Sequence, residues 1–236
     1  MIFGANQAYF MPYLGYWQLI NAVDVYGVAD NYNYIKRGWV NRNRVLGNMG
    51  PRYLTLPIVH ASRNRFIMEH ELAPFDADTM LHQLSHEYRS APNFDAGLDL
   101  MERVLRCKKT NLADFLFDSI ELTCHYLGID TRLIRTSDLP QDPSLRREQR
   151  LYDYCDQLQA DTYYNPIGGT ALYSFEDFRA HGIKLAFVRC HPVPYPQVRV
   201  EEFVPNLSIV DVIMNTSRQE AHDMLASFDL ITEERS

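Results

Sequence analysis

The first thirty residues contain an apolar run, a segment with apolar residues at helical spacing and a second apolar run, and this order constrains the fold strongly. Residues 1–5 are short and apolar, as expected for a buried strand. Pro12 precedes a helical stripe that begins at Leu14, in a position where its missing N–H costs nothing. Residues 24–30 form the second strand-like run. A strand, a helix and a strand in so short a stretch predict a parallel βαβ unit with a right-handed crossover.

The rest of the chain continues this alternation around a helical middle. Helical spacing of apolar residues covers 78–89, 94–106, 111–127, 144–159 and 174–181. Strand-like runs cover 53–59, 65–69, 130–135, 162–164 and 183–188. We therefore predict an α/β fold with an open, mainly parallel, Rossmann-like sheet. The expected organisation is a single α/β domain over residues 1–236 with a helical insertion at approximately 76–128.

Charge, cysteine usage and the absence of long apolar runs argue against nucleic-acid binding, export and a membrane location. The net charge of −7 opposes diffuse binding to nucleic acid, where contacts of Lys and Arg with phosphate dominate affinity. The four cysteines form no C-x-x-C pair and are typical of reduced thiols in a cytoplasmic protein. No secretory leader or long apolar span is recognisable, so we expect neither export nor a membrane. The sequence leaves the oligomeric state open.

The turn over residues 6–15 is the first candidate site, because ligands of open α/β sheets gather beyond the carboxyl ends of strands. A helix that starts here offers free N–H groups to an anion. Asn6, Gln7 and Tyr9 add directed hydrogen-bonding groups, and Gly15 permits close approach of a ligand. The alternative is an ordinary βα loop that binds nothing.

Residues 36–44 form a basic and amide-rich cluster in an otherwise acidic chain. Arg42 and Arg44 suit a phosphate or carboxylate, which a guanidinium can bind through two hydrogen bonds. Asn41 and Asn43 suit a sugar or ribose hydroxyl. A solvated loop that balances nearby acids is the alternative interpretation.

Weaker signals lie later in the chain. Gly168 and Gly169 follow a predicted strand and fit either a tight turn or close contact with a ligand. His82 and His86 share one face of a predicted helix, but no third metal ligand is recognisable, so we predict no metal site. The chain contains no G-x-S-x-G, P-loop, G-x-G-x-x-G or EF-hand motif.

An ordered series of short motifs resembles the WbqC-like protein family. The matching positions, in chain order, are Asn6-Gln7, Tyr9, Pro12 and Gly15-Tyr16; Asp24-Val25 and Asp30; Asn41-Arg42-Asn43; Leu54-Thr55 and Pro57; Tyr88, Ala91-Pro92 and Phe94; Gly168-Gly169 and Tyr173; Gly182-Ile183; Tyr195 and Gln197; and Leu207-Ser208-Ile209 with Asp211.

The chain departs from the family pattern at three places. The family's opening His-Gln-Pro is Asn6-Gln7-Ala8 here, so no role for a histidine is carried over. The acid that often follows Asp30 is Asn31, and the late Asn-x-Gly is Asn215-Thr-Ser. The opening turn therefore resembles a ligand clamp more than a source of general acid or base.

The resemblance implies a bacterial protein of surface-polysaccharide or secondary-metabolite biosynthesis that modifies an amine. Our leading hypothesis is an enzyme that transfers or ligates an acyl or aminoacyl group onto an amine of an amino sugar or small metabolite. ATP or a preformed donor would activate the acyl group. Asp30 or Asp211 would be the base for the ammonium nucleophile, and Tyr195 and Gln197 would join the substrate-binding groups.

Two alternatives remain open at this stage. The first is a non-catalytic module that binds a nucleotide sugar or a carrier, favoured by motifs rich in Asn, Gln, Tyr and Arg but poor in an evident nucleophile. The second is a metal-dependent hydrolase that uses His82 and His86.

Overall fold

The computed structural model describes residues 1–146 and 148–233, which form alternating strands and helices. The strands are β1 (Ile2–Gln7), β2 (Val25–Ala29), β3 (Arg42–Gly47), β4 (Gly50–Thr55), β5 (Arg132–Arg135), β6 (Thr162–Pro166), β7 (Lys184–Cys190) and β8 (Phe228–Ile231). The α-helices are α1 (Leu14–Asn21), α2 (Ala77–Tyr88), α3 (Phe94–Leu105), α4 (Leu112–Leu127), α5 (Glu148–Leu158), α6 (Phe175–Ala180), α7 (Ile209–Asn215) and α8 (Arg218–Asp223).

Six of these strands form one sheet in the order β5-β2-β1-β6-β7-β8. All neighbours are parallel except β7 and β8, which pair antiparallel at the edge. Phe3 of β1 lies opposite Val25 on one side and Tyr163 on the other. The predicted open, mainly parallel, Rossmann-like α/β fold is confirmed.

The direction of the chain through the sheet reverses between β1 and β6. From β1 the chain crosses through α1 to β2 and later reaches β5, whereas from β6 it crosses through α6 to β7 in the other direction. Such a reversal opens a crevice beyond the carboxyl ends of the two central strands, where α/β proteins bind their ligands.

Each face of the sheet is covered by its own apolar cluster. On one face, Trp17 of α1 is completely buried, and Tyr16 contacts Tyr26 of β2 edge to face at 5.6 Å between ring centroids. On the other face, the ring of Phe178 of α6 stacks on Tyr163 of β6 at 5.5 Å. The rigid sheet between these clusters fixes the positions of the loops at its carboxyl edge.

The chain between β2 and β5 holds the separate β3–β4 hairpin and helices α2 to α4. These helices begin and end within two residues of the predicted spans, and Asn111 caps α4 by accepting from the N–H groups of Ala113 and Asp114. The division into a single domain with a helical insertion stays a prediction. No helix within the described residues is both long and apolar enough to cross a membrane.

Some local predictions are wrong. Residues 65–69 do not form a strand; instead Ile67–Glu69 makes a short 3-10 turn, because the Glu69 carboxylate accepts from the N–H of Phe66. The strand predicted at 53–59 begins earlier, as β4, and pairs only with β3. The strand β3 and the edge strand β8 were not predicted from the sequence.

Candidate functional site

The turn between β1 and α1 is held from three sides, which fixes the direction of its aromatic side chains. The N–H of Phe10 donates to the carbonyl of Val40 at 3.0 Å, and the indole N–H of Trp17 donates to the carbonyl of Pro12. Met11 takes a left-handed conformation with φ of 42°, and the Ser208 hydroxyl donates to its carbonyl at 2.6 Å. A residue other than glycine adopts this strained conformation only where its surroundings enforce it.

The turn and the β3 strand together enclose a cavity that we call the aromatic cleft. It has a volume of about 390 Å³. Its walls are Tyr9, Tyr13, Trp39, Asn43, Arg44 and Asn206. The structure thus brings Tyr9 of the first predicted site together with Asn43 and Arg44 of the second, although more than thirty residues separate them in sequence.

Arg44 carries an uncompensated positive charge at the wall of the aromatic cleft. Its Nη2 donates to the carbonyls of Pro205 and Asn206 at 3.4 and 3.3 Å, and its buried Nε has no hydrogen bond among the described residues. No carboxylate of residues 1–146 or 148–233 lies within ion-pair distance of it. Burying a charge without a partner is costly, so the arrangement favours binding of an anion.

The other members of the predicted basic cluster hold the loop together. Asn41 is buried and donates to the carbonyl of Leu56 at 2.6 Å while it accepts from the Tyr34 hydroxyl. The guanidinium of Arg42 lies 4.1 Å from the centre of the Tyr53 ring, and its Nε donates to the carbonyl of Gly38. These two residues do not line the aromatic cleft.

Asn43 both lines the aromatic cleft and holds the loop together. Its Nδ2 donates to the carbonyl of Phe10 at 3.3 Å and its Oδ1 accepts from the N–H of Arg44, while the side chain still borders the cleft. It therefore connects the β1–α1 turn to β3 and fixes the backbone from which Arg44 projects.

A second space, the switch-point cavity, lies beyond the carboxyl ends of β6 and β7 beside the start of α1. Its volume is about 340 Å³. Gly15, Gly168 and Tyr195, all predicted site residues, lie in its wall with several prolines. Cys190 also lines it, and burial raises the pKa of this thiol to about 11, so that it stays protonated at neutral pH.

Gly15 is required for this wall to form. A Cβ at this position would lie 2.5 Å from the Tyr13 ring and 3.0 Å from Sγ of Cys190. The neighbouring Gly169 is equally constrained, because a Cβ there would lie 1.7 Å from Nδ2 of Asn165, whereas Gly168 faces open space. Gly169 therefore serves the packing of the turn, and Gly168 borders the cavity.

The aromatic cleft and the switch-point cavity have a common wall. Tyr13 and Asn206 line both of them. Tyr13 remains 39% exposed between the two spaces. Two ligands bound in these adjacent spaces would meet at the Tyr13 side chain.

Asp211 is the centre of a buried hydrogen-bond network behind the switch-point cavity. Its Oδ1 accepts from the Tyr88 hydroxyl at 2.8 Å, and its Oδ2 accepts from the Tyr195 hydroxyl and from Nε2 of Gln197, both at 2.7 Å. Burial raises the pKa of the Asp211 carboxyl above its usual range, while these three donors oppose that shift. Asp211 reaches the cavity only through Tyr195.

Asp30 lies at the end of β2 and is also buried. Its carboxylate accepts from the N–H of Ser137 at 3.1 Å and from the Ser137 hydroxyl at 2.7 Å. Its neighbourhood differs from that of Asp211, because it faces the loop after β5 rather than the switch-point cavity. Whether either carboxylate acts as a base stays a prediction.

Asn6 and Gln7 support the turn from the last positions of β1. Oδ1 of Asn6 accepts from the N–H of Gln7, and Oε1 of Gln7 accepts from the Tyr9 hydroxyl at 3.3 Å. Burial raises the pKa of Tyr9, so its hydroxyl remains a donor at neutral pH. Gln7 thus orients a side chain of the cleft.

The proposed histidine pair does not assemble a metal site with other side chains. Within the described residues, no group of three or more His, Cys, Asp or Glu is placed to hold a metal ion. Nδ1 of His86 lies 3.3 Å from Nδ2 of Asn48, and His82 is exposed.

Among the residues that line the cavities, Tyr13, Trp39 and Asn206 were not predicted as site residues from the sequence. Trp39, next to Gly38 in a polar stretch, was a usable signal, because the large ring and polar N–H of Trp make it common at binding surfaces. Tyr13 also stood inside the opening turn. The position of Asn206 depends on the tertiary fold.

Comparison with known proteins agrees with the resemblance seen in the sequence. The model of the WbqC-like protein family matches residues 7–223. The uncharacterized protein Rv1507c of Mycobacterium tuberculosis is 30% identical over 227 residues, which cover 93% of this chain and 95% of that relative. No solved structure matches the chain significantly.

Proposed function

The chain belongs to the WbqC-like protein family, and on that premise we propose that it transfers or ligates an acyl or aminoacyl group onto an amine of an amino sugar or another small metabolite. The observation that carries the proposal is the common wall of the aromatic cleft and the switch-point cavity at Tyr13. Transfer between two molecules requires that both be held with their reacting atoms close together, and two adjacent cavities support this proposal.

In this proposal the aromatic cleft holds the anion-bearing reactant. The positive charge of the Arg44 guanidinium and the rings of Tyr9, Tyr13 and Trp39 suit a phosphate or carboxylate attached to a sugar or base ring. A nucleotide sugar has this chemistry, and an acyl phosphate formed from ATP supplies the phosphate alone. Arg44 would also stabilise negative charge that develops as the leaving group departs.

The reaction itself forms one bond and breaks another. The amine nitrogen attacks the acyl carbonyl carbon, the C–N bond forms, and the leaving group departs with its bonding electrons. The proton of the attacking nitrogen passes to a base. We propose Asp211, acting through the hydroxyl of Tyr195, as that base, with Asp30 as the other candidate.

The raised pKa of Asp211 supports this choice. A carboxylate whose proton affinity is increased by burial accepts a proton from an ammonium group more readily than an exposed carboxylate does. The remaining predicted residues act as supports: Asn43 and Gln7 orient Arg44 and Tyr9, and Gln197 orients Asp211.

The test is formation of an amide by the purified protein. The protein is incubated with ATP, a mixture of amino acids and a series of amino-sugar nucleotides, and products are identified by mass spectrometry. We expect Arg44→Ala to reduce product formation about 10- to 100-fold. The control is Arg103→Ala, which removes an exposed arginine of α3 and should leave activity unchanged.

A second candidate function is a binding module that presents a nucleotide sugar or carrier to a partner enzyme. It is favoured by the buried, hydrogen-bonded state of both Asp30 and Asp211 and by the protonated thiol of Cys190. A ligand-dependent rise in melting temperature that Arg44→Ala abolishes, with no turnover under any donor, would favour this module over the enzyme.

A further inference from the structure

A third space lies at the carboxyl ends of β2 and β5, away from the aromatic cleft. It has a volume of about 630 Å³, within the range of sites for small metabolites, and Arg146 and Arg150 lie in its wall. We propose that this space, the arginine cavity, is a second ligand site that binds the oxyanion of a phosphorylated or carboxylated metabolite. The inference does not depend on the function proposed above, which uses neither arginine.

Arg150 is the residue that carries this inference. Its Nη2 donates to Oε1 of Gln141 at 3.2 Å and to the Tyr154 hydroxyl at 2.8 Å, and its guanidinium carbon lies 4.8 Å from the centre of the Tyr32 ring. All of these partners are neutral. Within residues 1–146 and 148–233, no carboxylate lies within ion-pair distance of it.

Such an arginine is fixed in orientation while its charge stays uncompensated. Stacking on Tyr32 and two hydrogen bonds through Nη2 fix the guanidinium, while its Nε and Nη1 make no hydrogen bond within residues 1–146 and 148–233 and so remain as donors for a ligand. A guanidinium held in this way loses little side-chain freedom when it forms two further bonds to an oxyanion.

The acidic groups around the cavity, in contrast, have local donors. Asp142, in the wall, accepts from both the N–H and the hydroxyl of Ser144, and Asp30, behind the wall, accepts from the N–H and the hydroxyl of Ser137. Arg146 donates to the carbonyl of Leu145. The hydroxyl and the N–H of Ser144 lower the pKa of Asp142 most, and the positive charge of Arg146 lowers it further. Arg146 is therefore partly compensated and should contribute less than Arg150.

The rest of the wall suits the uncharged part of a metabolite. Asn31 is held by hydrogen bonds to Thr136, Gln141 and Tyr154, so this polar side of the cavity is ordered without a ligand. Phe66 and Met68 supply an apolar side and remain more than one third exposed. The cavity also lies at the carboxyl ends of parallel strands, where open α/β sheets usually bind their ligands.

Titration calorimetry with inorganic pyrophosphate, and separately with malonate, tests the site in an Arg44→Ala background. This background removes the arginine of the aromatic cleft, so that remaining oxyanion binding reports on the arginine cavity. We expect Arg150→Ala to weaken binding of at least one probe about 10-fold or more, and Arg146→Ala about 3-fold. Arg103→Ala should change neither.

One further variant protects the test against loss of structure. Arg150→Lys keeps the charge but not the planar fork, so it should restore part of the affinity while circular dichroism and melting temperature match the parent. The inference is overturned if neither probe binds the Arg44→Ala protein, or if Arg150→Ala leaves both affinities unchanged. Because Arg44 is already absent, either result leaves the function proposed for the aromatic cleft intact.

Discussion

Arg44, beside the aromatic cleft, and Asp211, behind the switch-point cavity, are charged groups that the fold treats in opposite ways. Asp211 accepts three hydrogen bonds of 2.7 to 2.8 Å and is completely buried. Arg44 makes two longer contacts of 3.3 and 3.4 Å to carbonyls and leaves its Nε without a partner in the described part of the chain. Three satisfied bonds stabilise the folded state, whereas a guanidinium without a counter-charge lowers stability and its charge can be compensated by an anionic ligand.

The largest effect that this contrast predicts is on the stability of an Asp211→Ala variant. Removal of the carboxylate leaves the hydroxyls of Tyr88 and Tyr195 without their acceptor, while the Gln197 amide keeps only its weaker bonds, such as that to the carbonyl of Val204. We expect the free energy of unfolding to fall by about 3 to 5 kcal/mol, measured by urea denaturation. The exposed Asp99→Ala on α3 is the control and should change it by less than about 0.5 kcal/mol. A loss of less than about 1 kcal/mol for Asp211→Ala would show that the Asp211 hydrogen bonds contribute little to stability and would contradict the contrast with Arg44.

Next in size is the loss of ligand affinity in Arg44→Ala. We expect nucleotide-sugar or acyl-phosphate affinity to fall about 10- to 100-fold, because a charge-assisted contact in a partly buried site is lost. Stability should stay constant or rise, since a poorly compensated charge is removed. Calorimetric titration and a melting curve on the same sample measure both quantities. A clear drop in melting temperature would show that Arg44 is structural and that the two charges are alike.

The pH dependence of stability distinguishes the charges further. Since burial raises the folded-state pKa of Asp211, its contribution is fully present below the unfolded pKa of about 4 and is lost as the pH rises through the folded value. Each unit of the shift corresponds to about 1.4 kcal/mol. Relative to Asp211→Asn, the natural protein should lose stability between pH 4 and the raised pKa. Urea titrations at a series of pH values measure the free energy of unfolding of the natural protein minus that of the variant. A value that rises with pH would contradict the prediction.

Trp39→Ala should give the smallest effect. The exposed indole borders the cleft and lies 6.2 Å from the Tyr53 ring, so its loss removes stacking surface without opening the core. We expect ligand affinity to fall about 3- to 10-fold with little change in stability. Trp39→Phe should retain most of the affinity. Equal losses for the two variants would indicate that the indole does not stack on the ligand.

Residues that sit in regular local patterns could be placed from the sequence. The βαβ unit at the start was recognisable because Pro12 and the apolar stripe from Leu14 have strong local preferences. In β3, by contrast, Asn43 takes an inward position that usually holds an apolar residue, so the alternation typical of a strand was hidden. The polar residues of the candidate site thus hid the strand β3 on which they lie.

The candidate site shows the same division between local and tertiary information. The opening turn and Arg44 were identified from residue types, and their meeting required the fold. Tyr195 and Asp211 were each selected, yet the bond between them and the link to Tyr88, 123 residues from Asp211, follow only from the way α7 packs against α3 and β3. No spacing rule connects residues so far apart.

The two hydrogen bonds that Ser208 donates have a consequence for synthesis of the protein. Ser208 donates through its hydroxyl to Met11 and through its N–H to the carbonyl of Arg44, so one late residue holds two walls of the cleft. On the ribosome, the turn and β3 emerge long before Ser208 does. The nascent chain therefore cannot present a finished cleft to metabolites of the cell until residue 208 has been synthesised and has folded against the turn and β3.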